Sequence, residues 1–297
     1  MSYLLEQSAD GTDMVLTAAW SADAESCLRD GRADGVVLNY ARGFQGPDIG
    51  FLHSLPVRRV ALLARWVGDL SPVESLASSL VSLSVECSPK AVLDLSALPR
   101  LERLAAPWAA VRRSFDSASP ALRDLFLLSY SEADFRPVAG SIGLRSLRLK
   151  HYPNVRSLDG LQSLSDLGRL HVYSGRRLAD ISALGEAPRG LSDLALGACR
   201  KIGRLDSLAG CAGLRRLDLS EDGDIESLAP LGALSYMEEL FASGDTKVAD
   251  ADLGPLLGLP RLRTVSIRPR PQYRPPLADV LAAIGLDPSA FTTGRGR

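Results

Sequence analysis

The feature that most constrains this chain is a short apolar motif that recurs along most of its length. Its clearest copies read LRSLRL, LSDLAL and LRRLDL, with leucines at the first, fourth and sixth places. Successive copies start 21 to 25 residues apart, and a fixed period in this range predicts a repeat architecture. No single repeat can bury its apolar residues alone, so neighbouring repeats must stack. The eleven repeats start at Ala33, Val57, Leu80, Leu101, Leu122, Leu144, Leu167, Leu191, Leu214, Met237 and Leu262.

Each repeat changes its apolar spacing partway along. In LRRLDLSEDGDIESLAPLGAL, Leu217 and Leu219 are two residues apart, which is the spacing of a strand. The apolar residues that follow are three apart, which suits 3₁₀ turns, where residues i and i+3 eclipse. We number the first residue of each repeat as position 1. Positions 1, 4 and 6 and then positions 12, 15, 18 and 21 are predicted to fill one core from opposite walls.

The outer-wall segments SLDGLQSL, DISALGEA and SLAPLGAL resemble the internalin-type leucine-rich repeat of bacteria over about residues 33–268. This resemblance implies an α/β-type repeat solenoid, a leucine-rich-repeat horseshoe with a parallel concave β-sheet and a convex side rich in 3₁₀ turns. It implies no particular ligand. Position 9 departs from the asparagine usual in that family and carries Tyr152, Gly175, Cys199, Asp222 and Asp245.

The ends of a solenoid need caps, because a bare terminal repeat exposes its core. We predict an N-terminal cap at 1–32, the solenoid at 33–268, and a C-terminal cap helix with a frayed tail at 269–297. In the first cap MVLTAAW reads as a strand, and Ser21 as the N-cap of a short helix. In the last, PPLADVLAAIGL reads as a helix with proline at its start and Gly285 near its end.

Composition narrows the class of protein. A formal net charge of −1 and a pI near 6.3 disfavour a dedicated nucleic-acid or membrane-surface binder. We find no signal-peptide pattern and no apolar run long enough to cross a membrane. Four scattered cysteines without a CxxC pair indicate reduced thiols in a cytoplasm. Cys199 and Cys211 are predicted in the core, and Cys87 is the thiol most open to reaction.

Side chains at positions 3, 5 and 7 should point away from the core and form the concave face. In the early and late repeats these positions carry mostly small residues. In the middle repeats they carry aromatic and cationic residues, which is the composition of interface hot spots. We therefore predict a monomeric, non-catalytic module that binds a partner protein there, as an adaptor, a scaffold or an inhibitor of the immunity-protein type. The predicted contact residues are Trp108, Phe126, Leu128, Arg148, Lys150, His151, Arg169, His171 and Tyr173.

Three alternatives remain open. The patch could be ordinary solvated strand surface. An enzyme or small-ligand site could use the region of His151 and His171, although the sequence contains no GxSxG, HExxH or phosphate-loop motif. The arginine-rich stretch 261–297 could touch nucleic acid or an acidic partner, or be a solvated cap. We expect no cofactor and no metal, because a third ligand with suitable spacing is missing.

Overall fold

The structure is a computed structural model that describes residues 2–53 and 55–287. The chain divides into two compact units, Met1–Leu128 and Ser129–Arg297, called here the N-terminal and C-terminal units. Within the described residues, no helix is both long enough and apolar enough to cross a membrane.

The N-terminal unit is a sheet of seven strands in chain order. Strands β2 to β7 are parallel, and β1 pairs antiparallel with β2. The chain returns between strands through short helices and 3₁₀ turns. The elements are β1 Tyr3–Ser8, β2 Gly11–Leu16, α1 Ala22–Arg29, β3 Gly35–Asn39, β4 Arg59–Leu63, α2 Ser71–Glu74, β5 Ser82–Glu86, β6 Arg103–Pro107, α3 Trp108–Val111 and β7 Asp124–Leu128.

The N-terminal cap differs in part from its prediction. The hydroxyl of Ser21 accepts a hydrogen bond from the backbone N–H of Ala24, so the predicted N-cap of α1 is confirmed. The predicted strand at 14–20 ends at Leu16 instead, and it is the second arm of a hairpin whose first arm, β1, was not predicted. Residues of β1 are mostly exposed, so no alternation of apolar and polar residues marks this segment as a strand.

The C-terminal unit repeats the same plan with shorter strands. Its main sheet runs β8, β9, β10, β11, β13 and β15, all parallel, and β12 pairs with β14 in a separate two-stranded sheet. The elements are β8 Ser146–Lys150, β9 Arg169–Val172, β10 Asp193–Ala195, β11 Arg216–Asp218, β12 Asp224–Ile225, β13 Glu239–Ala242, β14 Lys247–Val248, β15 Thr264–Ile267 and α4 Leu277–Ala283.

The two apolar periods serve one core, as the sequence predicts. Leu194 and Leu217 are paired in register on adjacent strands, and both are fully buried. On the opposite wall, 3₁₀ helices such as Asp206–Gly210 and Ala229–Ala233 bury one leucine each, Leu208 and Leu231. Burying a leucine stabilises the fold by roughly 1.5–3 kcal/mol before entropy is subtracted. The predicted leucine-rich-repeat fold is confirmed.

The repeat that starts at Leu101 builds its outer wall differently from the others. Helix α3 follows β6 directly, and a 3₁₀ turn at Phe115–Ser117 comes next. Val111 and Phe115 are buried there in place of the usual period-three leucines. A helical turn thus precedes the 3₁₀ turn in the wall of this repeat.

At the end of the described chain, α4 packs against the 3₁₀ helix Gly254–Gly258. Gly285 follows α4 in the left-handed region, at φ 79°, as expected of a residue that ends a helix. The predicted frayed tail TTGRGR lies outside the described residues. The division into 1–32, 33–268 and 269–297 stays a prediction.

Candidate partner-binding site

One predicted contact residue, Trp108, is wrongly placed by the sequence analysis. Its side chain is only 2% exposed, and its ring packs against Phe115 with centroids 5.4 Å apart. Along β6 the side chains alternate between the core and the strand face, but this alternation ends where α3 begins. Trp108 is the first residue of that helix. Phe126 and Leu128 do share one face of β7, two residues apart, and both are half-buried.

In the C-terminal unit, β8 presents its predicted contact residues to solvent. Arg148 and Lys150 are exposed on the same face of the strand. His151 follows them, also exposed, with a left-handed backbone at φ 61°. The equivalent position 8 is left-handed in six repeats of this unit, which marks the turn that ends each strand: Ser129, His151, Ser174, Ala198, Glu221 and Gly244.

The histidine on β9 lies between two partners. His171 Nε2 is 2.9 Å from Asp193 Oδ1, and His171 Nδ1 is 3.4 Å from the Tyr173 hydroxyl. A carboxylate only accepts, so the tautomer consistent with both contacts carries its proton on Nε2 and accepts from Tyr173 at Nδ1. His171 and Tyr173 are half-buried rather than largely exposed as expected, because they pack against each other and against the next strand.

Position 3 carries alternating charges on four consecutive strands. Arg169 lies 2.8 Å from Asp193, Asp193 lies 3.5 Å from Arg216, and Arg216 lies 3.0 Å from Glu239. Burial by itself raises the pKa of Asp193, but hydrogen bonds from His171 and Arg169 outweigh it and hold that pKa below its ordinary value. Opposite charges directly across strands stabilise a sheet by roughly 0.2–1 kcal/mol per pair.

These contacts limit the chemistry of the face. Both ring nitrogens of His171 are engaged within the sheet, so neither offers a lone pair to a metal or a substrate. Among the residues that the structure describes, no group of three or more His, Cys, Asp or Glu side chains could hold a metal ion. What the face offers is a set of polar side chains held in place by one another.

A second charged surface lies beside this face, and of its residues only Lys150 and His151 were predicted as contacts. We call it the basic rim; Lys150 ends β8, and the other residues follow β8, β9 and β10: His151, Tyr152, Arg176, Arg177, Arg200 and Lys201. The missed signal is a basic doublet at positions 10 and 11 of two consecutive repeats, Arg176–Arg177 and Arg200–Lys201. Of the rim residues, positions 3, 5, 7 and 8 include only Lys150 and His151.

At the centre of the rim, Tyr152 differs in exposure from the residues at the same repeat position, position 9. Position 9 is buried in the next three repeats, at Gly175, Cys199 and Asp222, whereas Tyr152 is 64% exposed. Its backbone is left-handed at φ 57°, directly after His151 in the same region. A residue other than glycine in this conformation costs roughly 1–2 kcal/mol. The fold therefore sustains two adjacent strained residues that turn this tyrosine outward.

The four cysteines are unpaired and buried. Cys199 and Cys211 lie in the core as predicted, and burial raises the pKa of the Cys211 thiol to about 11. The expectation that Cys87 is the reactive thiol is wrong. Its side chain is buried, and burial raises its pKa above the ordinary value, which disfavours the nucleophilic thiolate.

An aromatic cluster in the N-terminal unit also escaped the sequence analysis. Trp20 stacks on Phe51 at 4.2 Å, and Phe44 stacks on Trp66 at 6.3 Å. Tyr40 and Trp66 remain exposed. These residues lie in the connections after β2, β3 and β4, so no single repeat position reveals them.

The sequence matches no protein-family model and no curated protein. Its fold is similar to an internalin, inlF, from Listeria monocytogenes, at 19% identity and a TM-score of 0.59, over 93% of this chain and 85% of the internalin. It is also similar to a chain in the mouse RP105/MD-1 complex, at 16% identity and a TM-score of 0.58, over 86% of this chain and 45% of that one. These likenesses show the fold alone, a leucine-rich-repeat solenoid of the kind seen in an internalin.

Proposed function

We propose that this chain is a non-catalytic protein-binding module whose partner engages the strand face of the C-terminal unit. One observation carries the proposal: Asp193 on β10 contacts Arg169 and His171 on β9 and Arg216 on β11, the two strands that flank its own. Side chains held in this way lose less freedom when a partner binds. The entropy cost of association, about 0.5–1.5 kcal/mol for each side chain that must be immobilised, is correspondingly lower.

The residue types of the face support the same proposal. Arginine and tyrosine dominate binding energy at protein interfaces; Arg148 lies on β8, and Tyr173 directly follows the adjacent strand β9. Phe126 and Leu128 remain predicted contacts on the N-terminal unit. The mechanism is steric occupation of a partner's surface, as an adaptor, a scaffold or an inhibitor of the immunity-protein type.

Two further considerations fit this role. One structural neighbour is described as part of a complex between two proteins, RP105 and MD-1. Four free, buried thiols also suit a reducing compartment, and we propose the cytoplasm of a bacterium as the setting. An enzyme or small-ligand site at His151 and His171 is less well supported, because Asp193 and Tyr173 occupy the ring nitrogens of His171.

The experiment is affinity capture from a lysate of the source organism, with the whole chain as bait. We expect a protein bound by the parent to be lost from the double variant Arg148→Ala/Tyr173→Ala. Truncating two anchor residues should weaken binding by at least about 2 kcal/mol, which is roughly thirtyfold in Kd.

The matched control changes two exposed residues of the convex wall in the same unit, Glu186→Ala/Arg189→Ala. It should bind like the parent. A partner that is retained by the strand-face variant and lost from the convex-wall variant would place the function on the opposite side. Capture that is lost equally from both variants would also contradict the proposal.

A further inference from the structure

The basic rim concentrates positive charge on three consecutive repeats. It holds two lysines and three arginines, all exposed. Within the described chain, only one of these five cations forms an ion pair, Arg200 with Asp245 at 2.9 Å. Arg177 hydrogen-bonds the neutral side chain of Asn154. Most cations of the rim are thus without an ionic partner among the described residues, unlike those of the strand face beside it, where the charges alternate.

An exposed aromatic ring lies among these cations. The guanidinium carbon of Arg176 is 4.5 Å from the centre of the Tyr152 ring. A cation on the ring face holds the arginine while its N–H groups remain available, since stacking uses none of them. Stacked in this way, Arg176 can present its planar donors to an incoming carboxylate, and bidentate contacts of this kind are the stronger ones.

We infer that the basic rim binds an acidic segment of the partner protein, an extended stretch of aspartates and glutamates with an apolar or aromatic residue against Tyr152. This inference rests on the proposed function and names the chemistry of the partner. Adjacent rungs are about 4.8 Å apart, and an extended chain advances about 3.3 Å per residue. About four residues of the partner therefore cross the three rungs and meet the doublets Arg176–Arg177 and Arg200–Lys201.

The dimensions favour a peptide over a nucleic acid. Five cations over three rungs, roughly 10 Å across, offer few phosphate contacts, and the single exposed ring stacks on an arginine. Binding of single strands uses a longer cationic groove with several aromatic platforms. The whole chain is also slightly acidic, at a formal net charge of −1. Nucleic acid is therefore an outcome that the experiment must distinguish.

The test measures fluorescence anisotropy with three labelled probes and the whole chain. The probes are a ten-residue Glu/Asp peptide with one central tyrosine, the same peptide with Gln and Asn in place of the acids, and a ten-nucleotide oligo-dT. We expect the acidic peptide to bind at least about tenfold more tightly than the neutral one. Affinity should fall as salt rises, because the contact is an exposed ionic one.

The rim variant is Arg176→Glu/Arg177→Glu, and its affinity for the acidic peptide should be at least about tenfold weaker than that of the parent. The control makes the same change of charge at an exposed arginine pair of the N-terminal unit, Arg112→Glu/Arg113→Glu, and should stay within about twofold of the parent. Lys201→Glu repeats the test at a rim residue that makes no ion pair among the described residues. All of these side chains are exposed, so folding should be retained, as thermal unfolding will verify.

Equal loss in the rim and control variants, no loss in either, or tighter binding of oligo-dT than of the acidic peptide would overturn the inference. The proposed function is tested separately and can stand when this inference fails. If the captured partner depends on Arg148 and Tyr173 but binds the rim variant normally, the strand face is the site and the rim is not part of it.

Discussion

At the scale of single residues, Asp222 shows how the repeats are joined. It stands where the internalin-type repeat usually has asparagine, and it is fully buried. Its Oδ1 accepts from the backbone N–H of Cys199 in the preceding repeat. Its own N–H donates to the hydroxyl of Thr246 in the following repeat, at 3.0 Å. Side chains thus bond the turns of three repeats in sequence.

The protonation state of Asp222 follows from this setting. Burial raises the pKa of its carboxyl to about 8, and the nearby acids Asp218 and Glu221 act in the same direction. Its Oδ2 has no hydrogen-bond partner among the described residues, so little offsets the cost of ionisation. At neutral pH the group is mostly a neutral acid, whose carbonyl oxygen can accept as an asparagine side chain would.

A pH dependence of stability follows. Because the folded pKa lies above the unfolded value near 3.8, the folded state holds the proton more tightly, and the free energy of unfolding falls as pH rises between about 4 and 8. Asp222→Asn should remove this loss. At pH 9 the variant should exceed the parent by at least about 1.4 kcal/mol, the free energy of one pKa unit.

Urea unfolding of both proteins at pH 5 and pH 9 measures this difference, with the parent correcting for all other titrating groups. Parallel losses between the two pH values in parent and variant would show that Asp222 ionises in the folded state near its ordinary pKa.

At the scale of elements, one arginine fastens the N-terminal hairpin to the sheet. Arg59 on β4 donates to Asp13 at 2.8 Å, to Asp34 at 2.7 Å, and to the backbone carbonyls of Asp10 and Thr12 at 2.7 and 3.1 Å. Its side chain is 11% exposed. The contacts fill the space above Gly35, where a β-carbon would lie 1.9 Å from Asp13 Oδ1, so β3 needs a glycine there.

Removing the Arg59 side chain should lower the free energy of unfolding. Arg59→Leu leaves two partly buried carboxylates and two carbonyls of the hairpin without their donor, and we expect unfolding to become easier by about 3 kcal/mol. Arg103→Leu is the matched control, since this side chain is 35% exposed and its ion pair with Asp10 spans 3.2 Å. An exposed pair is worth less than about 1 kcal/mol. Equal destabilisation of the two variants in urea unfolding would mean that the hairpin is not held by Arg59.

The same elements show what a sequence can reveal. Leu217 and Leu231 were predicted correctly because burial imposes a period, and a period can be read from the residues alone. Trp108 was misplaced because its orientation depends on where β6 gives way to α3, which no spacing reports. The half-burial of His171 depends on which side chains face each other across strands. Tyr152 points outward because of a backbone conformation that its residue type disfavours, so no propensity predicts it.

At the scale of the whole molecule, the core and the surface have different roles. Leucines at fixed positions carry the energy of the fold, so positions 3, 5 and 7 and the ends of the strands are free to vary. The C-terminal unit uses this freedom for a face of mutually bonded charges and for a rim of cations that are mostly unpaired within the described residues. We propose both as surfaces for recognition.

The central claim is that a partner protein lies against this part of the C-terminal unit. Its most direct test is photo-crosslinking of the whole chain, with benzoylphenylalanine at Tyr152 and, as the comparison, at Glu186 on the convex wall. Tyr152→benzoylphenylalanine should form a covalent adduct with one protein in the source lysate, and mass spectrometry should place the link in or beside an acidic segment of it. An adduct from Glu186 with none from Tyr152, or a link to a segment without acidic residues, would contradict the account.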